Sequence, residues 1–197
     1  MTRDRAAALG SVCALIGGLC WVVKGGWILV TGWQPPVIYE VAPLFFPVAA
    51  GALFVLPGVR SRLATVGLAM ASIAELAAVL AVLGFFLGPP DWQPTGSTVT
   101  VLTPWITLSA LGTSVSLVLL GVPVRRARAL PGWTRNLPLL IGAGAIPVLA
   151  VGGLLELLRT HLIEVSTVVI GLGWVALAMA LARARIVSRY DVPHPTV

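Results

Sequence analysis

Five ionisable side chains lie inside long apolar stretches of the sequence, where packing alone does not explain them. They are Lys24, Glu40, Glu75, Glu156 and Glu164. A charge at the centre of a lipid bilayer costs about 2.5 kcal/mol or more, so such residues are seldom kept without a role. Each of the five is therefore a candidate for binding an ion or a proton.

Glu75 is the most informative of these residues. At about 1.5 Å per helical residue, it lies about 20 Å beyond Arg62, whereas Lys24 lies about 28 Å beyond Arg5. Both are therefore expected in the outer half of the membrane, with Glu75 the deeper. Because the glutamate side chain is too short to reach the headgroups, Glu75 must be protonated, paired or hydrated.

Three roles for Glu75 remain open from the sequence. A pair with Lys24 could lock two helices together, while a carboxyl group that changes protonation could handle a proton or a cation. A neutral carboxyl group could instead bond to a serine or a threonine. Lys24 could itself extend to the outer headgroups rather than pair. The sequence thus predicts an outward-facing acidic pocket, with Glu75 as its central carboxylate.

A second group of polar residues lies at the predicted outer mouth. His161 and Glu164 are three residues apart, which places them on one helical face, and Glu156 and Glu40 could join them in space. Divalent-metal binding or external pH sensing is chemically feasible there. An ordinary solvated turn accounts for the same residues, so whether a metal binds is unknown.

No catalytic motif accompanies these side chains. The sequence has no Gly-x-Ser-x-Gly elbow, His-Glu-x-x-His helix, Walker loop or dinucleotide fingerprint. Enzymatic activity stays uncertain, with the balance against it, and we expect no cofactor.

The elements that must position these residues are membrane-spanning helices. Of 197 residues, 58% are hydrophobic and 10% charged, whereas soluble domains carry about a quarter charged residues. We predict an all-α, polytopic transmembrane bundle in one domain, 1–197. Its spans are 7–31, 38–57, 63–87, 99–122, 137–158 and 162–182, followed by a cytoplasmic tail, 183–197. The alternative is five spans, with 137–182 as one long bent helix and the C-terminus outside.

The charge distribution orients the six-span bundle. Eleven of the 13 Lys and Arg residues fall in segments that six spans place on one side. Short cytoplasmic loops carry this excess, so both termini are predicted inside a cell membrane. The formal net charge of +6 is thereby explained without nucleic acid, for which no binding module is present.

Small residues recur at helical spacing along several spans, which is typical of close helix packing. The predicted packing positions are Gly10, Gly17, Gly67, Ala71, Ala74 and Ala78. Prolines within the spans, such as Pro43 and Pro47, are expected to kink them.

Three functional hypotheses follow. The first is a multi-pass membrane protein that binds or transports a cation, a proton or a small cationic solute at the acidic pocket. The second is a non-catalytic accessory or assembly subunit, whose partners are other membrane helices or further copies of itself in the bilayer. The third is a membrane-embedded enzyme that acts on lipid or quinone through His161 and a carboxylate.

Overall fold

Long apolar helices dominate the protein. The computed structural model describes residues 3–33, 35, 37–92 and 100–190, and the side chains of these except at 3, 37–40 and 185–190. Five helices are long and apolar enough to cross a membrane. They are α1 (Arg3–Thr31), α3 (Arg62–Leu87), α4 (Thr103–Arg126), α5 (Leu137–Glu156) and α6 (Glu164–Tyr190). No strand occurs in these ranges, so the predicted class of helical membrane bundle is confirmed.

The second predicted span is not one continuous α-helix. It consists of a 3-10 helix, Val37–Leu44, the short helix α2, Phe45–Ala52, and a second 3-10 turn, Leu53–Val55. Pro43 and Pro47 each lack an amide donor, which explains why regular α-helical hydrogen bonding is not sustained here. We call residues 37–55 the broken segment.

The broken segment nevertheless runs along the bundle. A side chain at Gly10 would meet Ala52, and one at Gly17 would meet Phe46. Residue numbers therefore fall along the broken segment as they rise along α1, so the two elements are antiparallel. The bundle thus has five helices of spanning length and a sixth, interrupted element that crosses between α1 and α3.

All successive elements pack antiparallel. Close approaches between backbone and neighbouring side chains fix the register: Gly51 with Leu68, Gly67 with Leu120, Gly84 with Leu102, Gly121 with Leu139, and Gly152 with Ser166. Antiparallel contact of α1 with α6, through Gly18 and Gly171, closes the ring. The chain therefore passes up and down in the order that six alternating crossings require.

The two ends of the bundle differ in charge. Gly58 lies against Ala127, which brings the connections 56–61 and 127–136 to the end where α1 begins. Gly32 lies against His161, which brings Gly32, Trp33 and the connection 157–163 to the opposite end. We call these the arginine end and the tryptophan end, after Arg60, Arg125 and Arg126 on one side and Trp33 on the other.

The fifth connection is a true reversal of the chain. α5 ends at Glu156 and α6 begins at Glu164, with turns between them and a left-handed backbone at His161 (φ 73°). The alternative of one long bent helix over 137–182 is therefore wrong. Helix α6 also continues to Tyr190, eight residues beyond its predicted end, because Ala-Arg-Ala-Arg is a strongly helix-forming sequence.

Small residues pack within the chain. On α3, Gly67, Ala71, Ala74 and Ala78 are all buried, and a Cβ at Gly112 of α4 would lie 3.0 Å from that of Ala74. Helix α1 uses two faces: Gly10 and Gly17 meet the broken segment, while Gly18 and Gly25 meet α6. The sequence predicted the first of these faces as a packing surface but not the second.

Candidate functional site

Glu75 lies at the midpoint of α3, thirteen residues after Arg62 and twelve before Leu87. This distance from Arg62, about 20 Å, is the one that helical geometry predicts, and the position of Glu75 in the outer half of a membrane stays a prediction. The residues one turn away, Ala71 and Ala78, are 3% and 0% exposed, so Glu75 belongs to the inward face of the helix.

That face of α3 looks towards the broken segment. Leu68 and Val82 each lie two helical turns from Glu75; Leu68 contacts Gly51 of α2, and Val82 shares a cavity with Pro43. The Glu75 carboxylate also lies within electrostatic range of the Cys13 thiol on α1. Glu75 therefore lies where α3, the broken segment and α1 meet.

One oxygen of the Glu75 carboxyl group has no partner. Its Oε2 atom is buried and accepts no hydrogen bond from any residue that the structure describes. A buried polar atom without a partner costs about 1–3 kcal/mol, and more if it is charged. An unsatisfied carboxyl oxygen halfway along a membrane-spanning helix is a position where a proton or a cation would be stabilised.

Lys24 does not satisfy this carboxyl oxygen. It lies eleven residues beyond Cys13 along α1, or about 16 Å towards the tryptophan end. Among the described residues, Lys24 makes no hydrogen bond to the buried Oε2 atom of Glu75. The role of Lys24 as the counter-ion of Glu75 stays a prediction.

The polar residues of the tryptophan end are arranged around a turn. Glu156 accepts backbone hydrogen bonds from His161 (Oε1, 2.8 Å) and Ile163 (Oε2, 3.0 Å). Both carboxylate oxygens thus close the reversal between α5 and α6, which removes Glu156 from the set of free ligands. Glu164 is half-buried at the start of α6, and the side chain of Glu40 lies outside the described residues.

A metal centre finds no support in this region. In the part of the chain that the structure describes, no three His, Cys, Asp or Glu side chains come together in a group that could hold an ion. The turn explains Glu156 and His161 without a metal.

No known protein family, curated protein or solved structure matches this chain. Its function must therefore be argued from its own side chains and cavities.

An aromatic cluster that the sequence reading missed forms the centre of the bundle. Phe46 stacks on Trp174 (centroids 4.6 Å apart) and receives the edge of Trp21 (5.0 Å). Both tryptophans belong to the same pattern, Gly-Leu-x-Trp-Val, at 18–22 in α1 and 171–175 in α6. Comparing the first and last spans with each other would have revealed it.

The duplicated pattern packs against itself. A Cβ at Gly18 would lie 2.8 Å from the Gly171 carbonyl oxygen and 3.0 Å from Val175, and one at Gly171 would meet Gly18 and Val22 at the same distances. The two motifs are thus related by a local twofold axis. This close crossing fixes both tryptophans on either side of Phe46.

Two hydroxyl groups of α4 bond within their own helix, and a third bonds to α3. Thr113 and Ser114 donate to the carbonyl oxygens of Ser109 and Ala110, one turn back in their own helix. Ser116 instead donates to the Gly67 carbonyl oxygen of α3 at 2.8 Å. No described hydroxyl group donates to Glu75 Oε2, and the neutral, hydroxyl-bonded state of this acid stays a prediction.

Proposed function

We propose that this multi-pass membrane protein binds or transports a proton or a small cation, with Glu75 as its central acid. The carrying observation is the buried Glu75 Oε2 atom, which lacks a hydrogen-bond partner among the described residues. Acidic side chains kept inside membrane bundles despite their cost commonly mark ion pathways and proton relays.

The broken segment supports this proposal. Irregular backbone is tolerated at membrane depth only where protein or water satisfies its polar groups. Interrupted helices are also a recurrent feature of ion and substrate sites in transporters. Here the interruption, residues 37–55, faces the side of α3 that carries Glu75, so the carboxyl group and the irregular backbone would line one path.

We propose further that the tryptophan end faces the outside and the arginine end the cytoplasm of a cell membrane. The path would then open outward past Lys24 and Glu40, with His161 and Glu164 nearby at the same end. Glu156 is left out of this path, because its carboxylate is engaged by the turn.

The accessory-subunit hypothesis loses its main support. It rested on rows of small residues that would pack against other membrane helices. Gly67 and Ala74 are instead covered by α4 of the same chain. The enzyme hypothesis has no further support either, since one of the two carboxylates near His161 in sequence, that of Glu156, is taken up by backbone amides.

Proton flux into proteoliposomes tests the proposal. Purified protein is reconstituted with a pH-sensitive dye inside, and a pH gradient is imposed with the membrane potential clamped. We expect wild type to conduct and Glu75→Gln to lose the flux. Asp91→Asn is the matched control, because Asp91 is an exposed acid outside the long helices. Equal flux in wild type and Glu75→Gln would refute the transport function.

Proton binding without transport needs a direct readout. The infrared carbonyl band of a protonated carboxyl group should be present in wild type, vanish in Glu75→Gln and persist in Asp91→Asn. If no such band depends on Glu75 and added monovalent cations do not change the spectrum, Glu75 binds neither a proton nor a cation.

A further inference from the structure

A cleft opens between α4 and α5. The two helices approach closely only near the arginine end, where Gly121 meets Leu139 and Gly142 meets Ser114. Towards the tryptophan end, α5 packs on α6 through Gly152 and Ser166. The gap that this divergence leaves beside α4 has a volume of about 90 Å³.

The cleft reaches the aromatic centre of the protein. Trp21, Phe46 and Trp174 form its inner wall. Ile106 of α4 and Leu149 of α5 line it at the rim, where they are 39% and 42% exposed. Since both rim residues lie within membrane-spanning helices, the cleft opens sideways, towards the bilayer interior.

The lining is uncharged and mostly apolar. None of the residues that line the cleft is charged, and the hydroxyl groups of Thr113 and Ser114 donate to carbonyl groups of α4. A cation would have no counter-charge here. A neutral, apolar occupant is the one that the walls stabilise.

Size and position select among apolar occupants. A volume of about 90 Å³ admits part of one narrow chain, whereas a helix of another protein is about 10 Å across and would not enter it. In a bilayer the molecules present at this depth are lipid chains. We infer that the cleft between α4 and α5 is a lipid-binding site, which takes one acyl chain of a membrane phospholipid against Phe46 and Trp174.

This inference is independent of the proposed role of Glu75. The acid is not part of the cleft lining, and the cleft takes a neutral chain rather than a cation. Glu75→Gln is therefore expected to leave lipid binding unchanged, so either proposal can fail alone.

Photo-crosslinking with a phosphatidylcholine that carries a diazirine on its acyl chain tests the site. The full-length protein is reconstituted with this lipid, irradiated, and mapped by mass spectrometry. Adducts are expected inside the cleft, on Phe46, Ile170 or Trp174, although Trp174 is only 2% exposed. Adducts confined to outward-facing residues such as Leu140 and Leu154 would overturn the inference.

Filling the cleft provides the matched comparison. Ala110 lines it, whereas its neighbour Leu111 is 48% exposed and does not. Ala110→Trp should abolish the cleft adducts and Leu111→Trp should keep them. If Ala110→Trp fails to fold, Ala145→Trp fills the cleft from the α5 side. Cleft adducts that survive both fillings would contradict an acyl chain in this site, as would crosslinks between two copies of the protein in their place.

Discussion

Gly18 of α1 and Gly171 of α6 cross so closely that a Cβ on either would lie 2.8 Å from the carbonyl oxygen of the other. The obstacle is backbone, which cannot rotate away as a side chain would. The crossing closes the bundle by joining its first helix to its last, and it holds Trp21 and Trp174 on either side of Phe46. Closure of the fold and the wall of the lipid cleft thus depend on the same pair of glycines.

Gly18→Leu should therefore destabilise the protein. Overpacking of a close contact typically costs about 1–3 kcal/mol, and here α1 and α6 must separate. The measurement is reversible unfolding in mixed detergent and denaturing-detergent micelles. Gly26→Leu is the control, since a Cβ at Gly26 meets nothing within 4 Å. Equal stability of the two variants would show that the crossing is looser than described.

Removing the acid at Glu75 should stabilise the bundle. Glu75 Oε2 is buried without a partner in the described part of the chain, so Glu75→Leu relieves a cost of about 1–3 kcal/mol. The same unfolding assay measures it. An acid that locks two helices through an ion pair predicts the opposite sign, because its loss would leave a buried positive charge. A less stable Glu75→Leu protein would therefore favour a structural ion pair over a functional site.

Glu156→Ala should loosen the turn between α5 and α6. The carboxylate binds the amides of His161 and Ile163, and without it both amides face solvent or lipid unsatisfied. Hydrogen exchange in micelles should speed up at 161 and 163 and stay unchanged in the middle of α5. Glu164→Ala, which removes an acid three residues from His161, is expected to leave both amides protected. Unchanged exchange in Glu156→Ala would remove this role for Glu156.

Opposite ends of the bundle should label from opposite sides of the membrane. Asp91 and Trp133 are both exposed, the first beyond the end of α3 and the second at the arginine end. In a background without Cys13 and Cys20, a membrane-impermeant maleimide should label Asp91→Cys in intact cells. Trp133→Cys should react only after permeabilisation. The reverse pattern would invert the orientation, and labelling of both from outside would contradict alternating crossings.

Much of the fold was predictable because each span carries its own signal. A run of about 20 apolar residues must be helical in lipid, since every backbone group needs a partner within its own segment. The bounds of α3, predicted as 63–87, therefore agree with the observed Arg62–Leu87. The second span was harder, because Pro43 and Pro47 predict an interruption without saying what geometry replaces the helix.

The candidate site was only half predictable. The cost of a carboxyl group in lipid singles out Glu75 from composition and position alone. Whether that group has a partner depends on which helices face it, and among the described residues its Oε2 atom receives no hydrogen bond from Lys24, the partner that the sequence suggested. The role of Glu156 was equally hidden, since it depends on the turn that brings two amides to its carboxylate.

By itself, the sequence determined that this is a membrane protein, that its chain alternates between the two ends of a bundle, and that most arginines lie at one end. These properties follow from local apolar runs and from charges summed over short loops. Only the tertiary structure decided that α1 closes against α6, that Glu75 Oε2 lacks a partner within the described ranges, and that α4 and α5 diverge around a cleft. The physical reason is that these features depend on the register and separation of helices that are distant in sequence. Small differences in side-chain packing determine both.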